Sequence, residues 1–209
     1  MFTPRDSQSV LDDIGDKFPL ALLRATDNAR DDYAAFRAAF PSWVLRMFER
    51  DLANLIHPRL WAHLEDELEG VDGIKLTASE PYREIGIQTA GGRGYVARVK
   101  RHNESDRIRS YSTPSDLVFW SGASVTFEGF ERVPLAVGYR WKRDTREIGS
   151  AVISYREGKN NVVWAYSIDG GGAGAEPFVY EPILPNLPTV DLLDASREAA
   201  NDERGAEGQ

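Results

Sequence analysis

Apolar residues change their spacing once along this chain, close to Gly70, and that change limits the folds open to it. Before Gly70 they recur every three or four residues, whereas from Ile74 to Ile168 they alternate with polar ones. The first spacing lays a stripe along a helix; the second sends every other side chain to one face of a strand. Helices are therefore predicted over residues 7–14, from Pro19 through Leu23, over 27–40, from Ser42 to His57, and from Pro58 to Gly70. Ser42 serves as an N-cap and Pro58 as a first-turn proline. Strands are predicted over 84–90, 95–102, 107–112, 125–130, 135–143, 147–156 and 161–168, and a helical turn over 114–120. Short Gly, Asn and Asp-rich links make sequence neighbours antiparallel neighbours. The fold class expected is α+β: an N-terminal helical bundle packed on a twisted, mostly antiparallel meander sheet, with a β-barrel carrying N-terminal helices as the competing architecture.

Three regions follow: 1–73 helical, 74–184 antiparallel β, and 185–209 an acidic tail expected to be disordered. In the second, prolines confine residues 178–184 to an edge strand or arm. The chain has no cysteine, so disulfides, thiolate metal sites and cysteine nucleophiles are excluded. Acidic residues near Met1 do not read as a signal peptide, and no apolar run suggests a membrane span; a cytoplasmic location is expected. The net charge of −8 divides as −5 over residues 1–75, +1 over 76–184 and −4 over 185–209. That balance argues against a duplex-DNA binder with a broad cationic face.

Within this acidic chain the stretch GYVARVKRHNESDRIRSYSTP, residues 94–114, concentrates positive charge. It reads as a hairpin turning at Asn103-Glu104-Ser105-Asp106, with Arg101 facing Ile108, Lys100 facing Arg109 and Arg98 facing Tyr111. Tyr95, Ala97 and Val99 lie on one face; Arg98, Lys100, His102, Arg107, Arg109 and Tyr111 lie on the other. Like charges opposed across strands repel, so this face requires a negative group. Arg98, Lys100, Arg109, Tyr111, Arg140, Trp141 and Lys142 are the candidate binding residues, rings and guanidinium groups suiting a protein partner or single-stranded RNA. His102, Arg107 and Arg109 are candidates for metal-independent RNA cleavage, with the imidazole moving protons and the arginines stabilising phosphoryl charge. A third reading is a small-ligand carrier with an aromatic pocket from Trp120, Tyr139, Trp141, Trp164 and Tyr166, residues that at strand spacing also suit a core.

Other motifs point to no site. His57 and His63 are six residues apart with Pro58 between them, the wrong spacing for two helical metal ligands, although His63 with Asp66 or Glu67 has usable spacing. Gly91-Gly92-Arg93-Gly94 and Gly170-Gly171-Gly172-Ala173-Gly174 lack the lysine and helix of a phosphate loop. No metal and no cofactor is expected.

The layout RVKRH, RSYST, FW, GYRWKR, VVWAYSID across residues 17–169 is similar to small uncharacterised proteins of actinobacteria and their phages that resemble partners encoded beside zinc-peptidase-type antitoxins. The resemblance implies an interaction protein of a toxin-antitoxin or phage-defence module and carries over no catalytic residue.

Overall fold

A computed structural model describes residues 4–79, 82–108, 113–120 and 132–168. Its elements are α1 (Ser7–Ile14), α2 (Lys17–Ala39), α3 (Pro41–Arg46), α4 (Glu49–Leu68), β1 (Ile74–Ser79), β2 (Tyr82–Gln88), β3 (Gly94–His102), α5 (Pro114–Trp120), β4 (Arg132–Lys142), β5 (Glu147–Arg156) and β6 (Val162–Ile168). The six strands form one open sheet in chain order. The α+β class expected from the sequence holds, and the open sheet decides against the barrel.

Helix boundaries differ from the periodicity reading in two places. One helix, α2, spans the predicted pair, because Pro19 sits in its first turn where an amide hydrogen has no intrahelical acceptor. Nothing interrupts it later, and Thr26 Oγ1 donates to Leu22 O at 2.8 Å. The second break falls at Met47-Phe48 instead of His57. There Phe48 N donates to Asp51 Oδ2 at 2.9 Å and starts α4, which then runs through Pro58. A proline inside a helix forfeits one backbone bond and costs about 3 kcal/mol; burial of Leu52, Ile56, Leu60, Trp61 and Leu64 on both sides holds α4 together.

The sheet contains one joint that turn chemistry did not announce. All strand pairs are antiparallel except β3 and β4, which run parallel from Gly94↔Arg132 to His102↔Arg140. A parallel pair needs a long crossover, and the chain between them contains α5. The predicted hairpin at Asn103 is corrected accordingly. Asn103 does make the turn, its Oδ1 accepting from Ser105 N at 3.0 Å and Arg107 N at 2.8 Å. Beyond it a single bridge joins Ile108 to His102 instead of Arg101. Arg98 has Glu84 and Ala136 as its strand neighbours, so both of its ladder positions are filled. Residues 109–112, the predicted strand at 125–130, the arm at 178–184 and the acidic tail lie outside the described residues. Strand β1 was not among the predicted strands.

Alternation assigns the two faces. Ile85, Tyr95, Ala97, Val99, Leu135, Val137, Tyr139, Trp141, Ile153 and Trp164 pack with Phe18, Leu22, Leu52, Ile56 and Leu64 of the helix layer in the main core. Arg30 pins α2 to β5 by donating to Ile148 O at 3.0 Å and Gly149 O at 2.7 Å. On the opposite face Val96, Ile108, Phe119, Trp120 and Ala136 form a smaller core under α5. No described helix is long and apolar enough to cross a membrane.

Candidate functional site

Strand β3 carries the first set of predicted site residues, and its even-numbered side chains point to the α5 face. Arg98 is buried there, donating from Nε to Glu84 Oε1 and from Nη1 to Asp116 Oδ1, both at 2.9 Å, with its guanidinium 3.8 Å above the Phe119 ring. Asp116 is placed by the start of α5, where Thr113 Oγ1 accepts from Asp116 N at 3.2 Å. Lys100 Nζ stands 3.9 Å from the same carboxylate. Arg140 Nε and Nη2 grip the buried Asp106 carboxylate at 2.9 to 3.0 Å. The negative groups that the charge pattern required are thus Glu84, Asp106 and Asp116. The cations they engage are committed within the fold.

His102 is fully buried, its Nε2 3.0 Å from Ser154 Oγ. Burial first, then Arg156 and Arg140, hold its pKa well below the usual histidine range. Arg156, also buried, donates from Nη2 to Asp106 O and is lowered to about 10 by desolvation against a smaller opposing pull from Asp106. The structure does not bring His102 together with Arg107 at a surface: Arg107 is exposed on the turn while His102 is inside. Arg109 and Tyr111 lie outside the described residues. Of the aromatics of the carrier reading, Tyr139, Trp141 and Trp164 are in the main core with Tyr166 packed against it, and Trp120 is in the smaller core under α5. A cleft of about 430 Å³ does border this face, lined in part by Glu84, Arg98, Phe119 and Arg132.

His63 turns away from Asp66 and Glu67, placing Nε2 2.8 Å from Asp32 Oδ2 on α2. Arg59 Nε donates to that oxygen at 2.8 Å. The His63 hydrogen bond, more than the arginine, holds the Asp32 carboxyl below its ordinary range against the opposing effect of burial.

A second candidate site lies where α2 hands over to α4, and the sequence reading missed it. Of seven large apolar side chains exposed among the described residues, four fall between residues 40 and 48: Phe40 at 42%, Trp43 at 60%, Leu45 at 78% and Phe48 at 78%. The predicted single helix from Ser42 would have buried Leu45 and Phe48 on one stripe. The break at Met47-Phe48 leaves only Val44 of α3 buried and turns the others outward. Arg146, on the β4–β5 turn, fixes α3 by donating to Val44 O at 2.7 Å and Met47 O at 3.2 Å, two carbonyls at its C-terminal end. Arg37 donates to Thr145 O at 3.1 Å from the other side. Phe36, Phe40 and Trp43 form a ladder of rings with centroids 5.3 and 5.0 Å apart. Phe36 also lines a groove of about 270 Å³ between α2 and α4, with Ala29, Tyr33, Leu55 and Ile56.

Charge concentrates at the same corner. Residues 36–50 and the turn 142–147 hold Arg37, Arg46, Arg50, Lys142, Arg143 and Arg146 against Glu49, Asp144 and Glu147, a balance of +3 in a chain of −8. Of the predicted binding residues described, Lys142 alone is exposed; Trp141 is buried beneath the corner, its ring in edge contact with Tyr33 at 5.9 Å. Comparison with protein-family models, curated proteins and solved structures finds no match.

Proposed function

We propose that this chain is an interaction protein that captures a macromolecular partner on the aromatic and cationic corner formed by α3, its flanks and the β4–β5 turn. The observation carrying the reading is the exposure of Phe40, Trp43, Leu45 and Phe48 within nine residues, edged by cations. Isolated exposed apolar residues are ordinary, whereas a contiguous rimmed patch marks a binding surface. Aromatic and arginine enrichment is the composition of interface centres. The resemblance found in the sequence suggests the setting, a toxin-antitoxin or phage-defence type of module. The engagement of Arg98 and Lys100 by Glu84 and Asp116 favours the corner over β3 as the binding surface. RNA cleavage by His102 has no support from its buried position.

Recovery of partners from cell lysate tests the reading, with both protein and RNA identified. Wild-type chain is compared with a Trp43→Ser, Leu45→Ser, Phe48→Ser variant and with Lys100→Ala. A partner lost only from the corner variant supports the assignment. A partner lost only from Lys100→Ala returns the surface to β3, and equal recovery from all three overturns the corner.

A further inference from the structure

Resting on that reading, we propose that the corner receives an acidic amphipathic helix of a partner polypeptide, its apolar side chains over Trp43, Leu45 and Phe48 and one anchor entering the α2–α4 groove. The ladder and the groove share Phe36, so the rings lead from Trp43 into a groove whose lining also includes the Asp32–Arg59 ion pair. A helix presents apolar anchors three and four residues apart along such a strip.

The chemistry of the lining favours this occupant over a nucleic acid. Bases stack on flat rings, yet the exposed Leu45 and the half-buried Leu55 add aliphatic surface, which suits leucine, isoleucine and phenylalanine anchors. Charge points the same way. The corner carries +3, which leaves −11 for the rest of the chain. A nucleic acid or an anionic bilayer extends its negative charge past the corner and meets that repulsion. A short helix with a few Asp and Glu residues stays within the corner's net positive charge. A second copy docked about a two-fold axis would set like-charged corners face to face, against the electrostatic complementarity that interfaces use.

The test uses the full chain and a displayed library of helical peptides with fixed Leu and Phe at one face and randomised Asp, Glu, Lys and Arg at the other. Trp43 supplies the readout, because Trp61, Trp120, Trp141 and Trp164 are all buried. Acidic members are expected to be enriched, and the selected peptide to blue-shift Trp43 emission. Arg46→Glu, Arg50→Glu and Lys142→Glu together should weaken that peptide at least about tenfold. These residues are exposed, so an unchanged urea midpoint separates lost binding from lost folding. Enrichment of basic members, or none at all, overturns the inference. Quenching of Trp43 by a single-stranded oligothymidylate or by phosphatidylserine vesicles also overturns it while leaving the corner as the binding surface. A mass that doubles with concentration and falls with Leu45→Ser overturns it in favour of self-association.

Discussion

Protonation of His102 gives a direct measure of how dry the sheet face beneath α5 is. In the unfolded chain its imidazole titrates near pH 6.5, while in the fold burial and the neighbouring Arg156 and Arg140 depress its pKa well below that. The unfolded state therefore binds the extra proton first as pH falls. Stability is full above about pH 6.5 and declines below it, reaching a slope of about 1.4 kcal/mol per pH unit for one such group. Between about pH 7.5 and about pH 5.5 that integrates to about 1.4 kcal/mol for His102. His57, lowered to about 4 chiefly by desolvation, with Arg83 and Lys100 adding, contributes a decline of the same sign over that interval. Wild-type protein should thus lose about 2.7 kcal/mol from its two histidines, before any carboxylate contribution, and His102→Leu about half of that. Ser154 Oγ retains Ala136 O at 3.4 Å as an acceptor in the variant. Urea denaturation at the two pH values reads the difference. Parallel pH profiles for wild type and His102→Leu would refute the buried, neutral imidazole and reopen it as an acid or base.

Three further outcomes are expected. Gly138 has φ +150°, and a Cβ there would stand 2.2 Å from Lys100 O, so Gly138→Ala should destabilise by more than about 3 kcal/mol in urea unfolding, whereas the same change at the open Gly92 should cost much less. Asp106→Asn keeps a residue tolerant of the left-handed φ of 53° but strips the charge from the Arg140 fork; a loss of about 2 kcal/mol is expected, and a double-mutant cycle with Arg140→Met should recover most of it as coupling. Because Trp43, Leu45 and Phe48 are exposed, replacing each by serine should leave the unfolding free energy within about 0.5 kcal/mol, and acrylamide quenching should lose its accessible component in Trp43→Ser alone.

Local rules carried the sequence reading a long way. Strand β5 occupies the residues expected, 147–156, because Asp144-Thr145-Arg146 and Glu157-Gly158-Lys159-Asn160 punctuate a clean alternation; α1 matches 7–14 because Gly15 stops it. Features set by distant residues were not legible. The end of α3 depends on Arg146, about a hundred positions away, donating to its last carbonyls. Without that knowledge Ser42, Val44 and Leu45 look like the opening of a longer helix. The density of PSWVLRMF, apolar on more than one side, was the available signal that its residues could not all face one core. Likewise, repulsion among Arg98, Lys100 and their neighbours required anions nearby, but only the crossover through α5 determines that Asp116 is one of them.

The lone parallel ladder has a consequence for how the chain assembles. On either side of it lies a three-stranded antiparallel unit, β1 to β3 and β4 to β6, each closed by short connections and able to collapse early. Joining β3 to β4 requires closure of the whole segment from Asn103 to Glu131, so the entropy of that loop falls on one step. The N-terminal helices, packed on strands of both units, are available before either is synthesised. They form a template on which two small meanders meet, and hydrogen exchange should report the ladder between them as the line along which the sheet opens.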